Sequence, residues 1–166
     1  MLLLVAVCVA NVVIGQPEPA TEQPQFATGT VFHDTNANGQ LDSGEPPLAD
    51  IRVSNGREIV RTDEKGRYRL PVTDDTIVFV IKPGGWQTPY DEFNRPRFYY
   101  IHKPNGSPQL KYPGVEPTGP LPESINFALT PHKEPETFSA VLFGDPQPRD
   151  QKEVDYITHD IVEAVI

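Results

Sequence analysis

The sequence predicts a mainly β protein, a small sandwich followed by the first βα unit of an α/β layer domain. Three observations carry this. Residues 26 to 81 read as short strands separated by turn signals. The 166 residues include 19 prolines and 12 glycines, which favour strands and loops over long helices. Only after residue 137 does a strand pattern pass through a short acidic loop into apolar residues at helical spacing.

The chain opens on an apolar run, Leu2 to Ile14, broken only by Asn11 and followed by Gln16-Pro17-Glu18-Pro19. It is too short to span a bilayer and has the length of a signal-peptide apolar region, with Val13-Ile14-Gly15 as the cleavage point. No Lys or Arg precedes it, so the α-amino group alone supplies positive charge there. A buried strand or helix fits less well beside the Pro/Glu-rich stretch that follows. Residues 1–15 are therefore expected to direct export, to the periplasm, the exterior or the cell surface. Cys8 is the only cysteine, so the mature chain can form neither an internal disulfide nor a thiolate zinc site. Val7 before it is not the small residue that lipidation wants.

Fourteen Lys+Arg against 23 Asp+Glu give a net charge of -9, and no Lys or Arg precedes Arg52. Nucleic acid and stable membrane insertion are not expected, because nucleic acid needs clustered positive charge and insertion a longer apolar span.

Thr30-Val31-Phe32 is the first strand. Ile51-Arg52-Val53 and Ile59-Val60-Arg61 flank Asn55-Gly56, a pair that favours a type I′ hairpin turn. Thr62-Asp63-Glu64-Lys65-Gly66 is a second tight turn, and Tyr68-Arg69-Leu70 alternates after it. Thr76 to Ile81 is apolar and β-branched, the pattern of a strand buried on both faces. Ser124 to Thr130 alternates again and should complete the sandwich of residues 27–81.

Between the first two strands, Asp34-Thr-Asn36-Ala-Asn38-Gly39-Gln40-Leu-Asp42-Ser-Gly44-Glu45 fits D-x-[DN]-x-[DN]-G-x5-E at every position. Oxygens of Asp34, Asn36 and Asn38 converge while Gly39 permits the reversal, the Gln40 carbonyl and Asp42 continue the ring, and Glu45 closes it. All donors are hard oxygen, which suits Ca²⁺. No amphipathic helix flanks the loop, so its expected role is structural. A solvated Asn/Asp/Gly turn is the plainer alternative.

Residues 82–123 form a proline- and aromatic-rich connection, with Trp86, Tyr90, Phe93, Phe98, Tyr99, Tyr100, His102 and Tyr112. The rings serve either as a sugar- or partner-binding platform or, the favoured reading, as packing that staples the loop to the sandwich. Phe138 to Phe143 reads as a buried strand, followed by Gly144-Asp145-Pro146-Gln147-Pro148. Asp150 then caps a helix with Glu153 at capping-box spacing, and Val154, Ile157, Ile161 and Val165 form one stripe. Function in such folds gathers at the carboxyl ends of strands, where Asp145 sits; a helix-entry turn is the alternative role for it. One strand and one helix leave their apolar faces unpaired, so residues 137–166 are expected to begin a longer domain.

Two resemblances rest on these residues. Gly29 to Phe32, the Asp34–Glu45 loop, Pro46 to Val53 and Thr62 to Leu70 resemble the B-repeat, prealbumin-like modules of surface proteins. That implies a Greek-key sandwich with a Ca²⁺ loop, acting as a stalk or accessory domain. Val141-Leu-Phe-Gly-Asp145-Pro-Gln147 is similar to the first motif of calcineurin-like metallophosphoesterases, and the sandwich and Phe98 to Pro108 resemble exported members of that family. This implies a phosphate-ester hydrolase with a divalent transition-metal pair in an αββα fold, Asp145 and Gln147 being ligands. Gln147 stands where His is usual, and the remaining metal and catalytic motifs are absent. The 166 residues are thus expected to be an N-terminal portion, inert on its own. The alternative is a non-enzymatic, calcium-stabilised module for a surface or carbohydrate.

Overall fold

The computed structural model describes residues 24–140, 142 and 144–165, so the export segment expected at 1–15 lies outside the described residues. The chain divides after Lys133 into two compact units.

The first unit is a two-sheet β structure. Its strands are β1 (Gln25–His33), β2 (Arg52–Ser54), β3 (Ile59–Arg61), β4 (Arg67–Val72), β5 (Thr76–Ile81), β6 (Trp86–Gln87), β7 (Tyr99–His102) and β8 (Phe127–Pro131). One sheet has the order β4-β1-β8-β6 and the other β3-β2-β5-β7. All neighbours are antiparallel except β1 and β8, which run parallel with Val31 opposite Phe127. Alternate residues of both sheets meet in one core: Ala27, Val31, Leu70 and Leu129 from the first, Val53, Val78 and Val80 from the second. Burying a side chain of this size contributes roughly 1.5–3 kcal/mol. Pro71, which has no N–H for a ladder, lies in β4 at a sheet edge, where its missing donor is tolerated.

Several sequence expectations change here. The first strand extends well beyond Thr30–Phe32. The Asn55-Gly56 pair does not make a two-residue type I′ turn, because Ser54 pairs with Ile59 and leaves a four-residue loop. A type I′ turn needs positive φ at both central residues, whereas Gly56 has φ 86° and Asn55 is not in that region. Asn55 Oδ1 instead accepts from the Arg57 and Glu58 N–H groups (2.9 and 2.7 Å), organising the wider loop.

β5 is not buried on both faces. Val78 and Val80 point into the core, while Ile77 on the opposite face is 49% exposed. Its sheet is covered on one side only, as antiparallel sheets allow. The stretch 82–123 contributes two strands that sequence periodicity does not reveal. β7 pairs with β5 (Phe79 opposite Tyr99), and β6 pairs with β8.

The second unit holds α1 (Gln151–Ile157), a π turn (Thr158–Val162) and the short α2 (Glu163–Val165). Asp150 caps α1, its Oδ1 accepting from Glu153 N at 3.0 Å. Glu153 reaches back to Arg149 N at 2.7 Å, one residue earlier than a standard capping box. The π turn interrupts the expected continuous stripe. The buried strand expected at 138–143 is not formed by its described residues: Phe138, Ser139, Ala140 and Leu142 are irregular, with Phe138 and Leu142 82% and 92% exposed. A strand needs a ladder partner, and none of the described strands pairs with this stretch. Among the described residues, no helix is long and apolar enough to cross a membrane.

Candidate functional site

The Asp34–Glu45 loop is built as one hydrogen-bonded ring. Asp34 N donates to Leu129 O at 3.0 Å, which extends the β1–β8 pairing and fixes Asp34 at the mouth of the loop, 2% exposed. Its carboxylate turns inward, Oδ1 accepting from Asn38 N (3.2 Å) and Oδ2 from Gly39 N (2.7 Å). Gly39 reverses the chain with φ 75°, a conformation open to glycine at little cost. Asn36 Oδ1 accepts from Asn38 N (3.1 Å), and Asn38 Oδ1 from Gln40 N (2.7 Å).

The distal side closes on Asp42. Both Asn36 Nδ2 and Asn38 Nδ2 donate to its Oδ2, at 2.8 and 2.7 Å. These bonds, Asn36's first, hold the Asp42 carboxyl below its ordinary pKa because they favour the ionised form. Glu45 bridges the ends, Oε1 accepting from Thr35 N (2.9 Å) and Oε2 from Asp42 N (3.0 Å). Of the six residues singled out in the sequence, Asn36, Asn38 and Asp42 are thus joined side chain to side chain, and the Asp34 and Glu45 carboxylates tie in through backbone N–H groups of the loop. Gln40 joins them through its backbone N–H.

Chemically, the loop presents three carboxylates and two amides, all oxygen-bearing. A carboxylate oxygen that accepts one N–H keeps a second lone pair, so this donor set suits a hard cation such as Ca²⁺. The side chains are, however, engaged with one another and with backbone. Among the described residues, no group of three or more His, Cys, Asp or Glu side chains is gathered as a metal cage.

Asp145 and Gln147 lie in irregular chain before α1. Gln147 Nε2 donates to Asp145 Oδ2 at 2.6 Å, so the two side chains adjoin, both exposed. They offer one carboxylate and one neutral amide, a partial ligand set that fits one end of a metal site and does not complete it. The histidines are dispersed. His33 meets Trp86 edge-to-face at 5.3 Å, His159 lies 3.1 Å from Glu163 Oε1, and His132 is exposed. His102 is buried, and neither of its ring nitrogens has a hydrogen-bond partner.

The aromatic stretch divides by role. Trp86, Phe98 and Tyr100 pack on the core, whereas Tyr90, Phe93, Tyr99 and Tyr112 are at least half exposed. Residues 89–97 form a tight hairpin: Tyr90 bridges Pro96, Arg97 N donates to Pro89 O (2.7 Å), and Asp91 accepts from Phe93 N and Arg95 N. An apolar groove lies between this hairpin and β5, a feature beyond the sequence expectations. The alternation of Ile77, Phe79 and Ile81 along a half-covered strand is the signal for it.

Comparison with known proteins places this geometry. No curated protein matches the chain. Residues 35–112 match the family model described as the N terminal of calcineurin-like phosphoesterase. The matched stretch runs from the Asp34–Glu45 loop through β7, and Asp145 and Gln147 lie outside it. Over residues 35–112, which hold β2 to β7, the chain is therefore similar to the N-terminal domain of calcineurin-like phosphoesterases.

Proposed function

We propose that the protein to which this chain belongs is an exported calcineurin-like phosphoesterase that hydrolyses phosphate esters, with the β sandwich as its non-catalytic N-terminal module. The observation that carries this reading is the family match over residues 35–112, which coincides with the strands β2 to β7 and not with an active centre. In this reading the sandwich is a prealbumin-like Greek key, and residues 137–166 open the catalytic domain, the stretch at 138–143 becoming its first strand only when paired with further strands of that domain. Asp145 and Gln147 would donate their side-chain oxygens to a divalent metal pair, whose chemistry is to polarise the phosphate and activate water. To share a metal with Asp145, Gln147 would have to flip its amide so that the oxygen takes the place of Nε2, giving up the present bond to Asp145 Oδ2. The 166 residues alone are proposed to be inert, because two adjoining side chains do not make a two-metal centre.

The test is hydrolysis of p-nitrophenyl phosphate and its bis ester by the full-length protein with Mn²⁺. Activity that falls by at least ~100-fold in Asp145→Asn supports the reading, since loss of a direct ligand exceeds the 10–100-fold typical of outer groups. A full-length protein inactive on both esters, or indifferent to Asp145→Asn, removes it.

For the loop, we propose structural Ca²⁺ held by Asp34, Asn36, Asn38, Gln40, Asp42 and Glu45. The all-oxygen donor set and the spacing support it. Binding would require the Asn36 and Asn38 amides to turn their oxygens toward the ion, exchanging two N–H···O bonds to Asp42 for metal contacts. The benefit would be neutralisation of the loop's three carboxylates.

A further inference from the structure

Independently of that activity, the sandwich carries a preformed apolar groove of about 410 Å³ between β5 and the 89–97 hairpin. Phe79, Ile81, Tyr90, Pro96 and Phe98 line it, with Thr88 and Lys82 as further polar members of the lining. Its walls are fixed by backbone: Tyr90 bridges Pro96, and Val80 N donates to Phe98 O at 2.9 Å. The volume is at the small end of ligand pockets and accommodates one or two large side chains. The apolar surface continues along the same sheet face, where Ile77 and Tyr99 are each about half exposed.

The charge around it is opposite to that of the whole chain. Arg52 lies beside Ile81 across the β2–β5 pair and is exposed, and Arg97 follows Pro96. Neither guanidinium makes an ion pair among the described residues, whereas Arg61 and Arg95 are neutralised by Asp50 and Asp91. Glu92 opposes them from the hairpin tip. In a chain of net charge -9, two arginines outside any ion pair among the described residues thus neighbour Ile81 and Pro96 of the lining.

We propose that this groove docks an acidic polypeptide segment, which inserts one apolar side chain between Tyr90 and Phe79 and sets carboxylates against Arg52 and Arg97. Three other occupants fit less well. A second copy on a twofold axis would bring like arginines together. An anionic membrane calls for four to eight clustered basic residues, more than these arginines supply. A glycan needs several convergent hydrogen-bonding groups, and the lining offers Thr88, Lys82 and the Tyr90 hydroxyl on an otherwise apolar surface.

The experiment is fluorescence anisotropy of the full chain with a fluorescein-labelled peptide, Glu-Glu-Pro-Leu-Pro-Glu-Glu, beside its Lys-for-Glu counterpart. Saturable binding of the acidic peptide alone is expected. Raising salt to about 0.2 M should weaken it several-fold, because rim charges are screened. Tyr90→Ala should weaken it about tenfold, as should the double variant Arg52→Glu/Arg97→Glu. Both changes are at exposed positions, and far-UV circular dichroism checks that the fold persists. No saturation up to about 1 mM, equal binding of the basic peptide, or indifference to the double variant would each overturn the proposal. Binding to phosphatidylserine vesicles without peptide binding, or a dimer abolished by Tyr90→Ala, would also overturn it by naming another occupant.

Discussion

Gly29 sits in the middle of β1, where a methyl group has no room. A Cβ built there falls 1.8 Å from Ile125 O and 2.5 Å from Ile125 C. The obstacle is backbone, not a flexible side-chain tip, so Gly29→Ala must push the 125 segment away by about 1.5 Å to restore ordinary contact. That segment is tied twice: Ile125 N donates to Thr28 O at 2.8 Å, and the buried Tyr68 hydroxyl donates to Ile125 O at 2.7 Å. Overpacking costs about 1–3 kcal/mol, and two weakened hydrogen bonds add about 1 kcal/mol each. The expected loss is about 3–5 kcal/mol from a total of typically 5–15. For a domain of this size that lowers Tm by roughly 12–20 °C. Thermal and urea unfolding followed by far-UV circular dichroism measure it. Gly56→Ala is the control, since its φ of 86° is strained but nothing lies within 4 Å of the new Cβ; it should cost only about 1–2 kcal/mol. A Gly29→Ala Tm within about 4 °C of wild type, or a loss no larger than that of Gly56→Ala, would refute the close-approach argument.

Further expectations concern charge and polarity. Burial pushes the Tyr68 phenol well above its ordinary pKa, so the folded state holds its proton where the unfolded chain releases it. The stabilisation is present below pH ~10 and lost as pH rises beyond it. Urea titrations across that window should show a falling midpoint that Tyr68→Phe flattens, at a cost of about 1–2 kcal/mol at neutral pH; an equally steep fall in the variant counts against the assignment. His102, with both nitrogens unpartnered in the interior, should be replaceable by Leu with stability unchanged or raised by about 1–2 kcal/mol. A loss above about 2 kcal/mol would mean the imidazole is bonded after all. Ca²⁺ at about 100 times its Kd should stabilise the fold by ~2.7 kcal/mol, reversed by EDTA and absent in Glu45→Gln; an unmoved melting temperature removes the calcium reading. Asp42 and Asp63 have depressed carboxyl pKa values, chiefly through side-chain hydrogen bonds from Asn36 and Arg67. Their contribution is present above pH ~4 and lost as pH falls below it, which proton-resolved NMR titration of the two loops will register as disorder on acidification.

The sequence by itself determined the strand-rich class, the existence of most strands, the Asp34–Glu45 loop and the capped helix at Asp150. Each of these is written in neighbouring residues: alternation along Tyr68-Arg69-Leu70, the Asn/Asp/Gly spacing of the loop, and a carboxylate three residues before the N–H it accepts from. The resemblance to calcineurin-like phosphoesterases was legible in the sandwich residues that the match at 35–112 covers, whereas the Val141–Gln147 motif lies outside that match. What needed tertiary structure is what depends on distant partners. β6 and β7 are strands because β8 and β5 offer them ladders, and their proline-punctuated surroundings hide any period. Phe138, Ala140 and Leu142 belong to a stretch with a strand's composition, yet they stay irregular and exposed, because none of the described strands pairs with it. The same dependence decides that β5 has one open face, that His102 is interred without a partner, and that Arg52 lies beside Ile81 of the groove. Composition states how many apolar and charged residues must be placed; only the pairing of sheets decides which of them face one another and which face solvent.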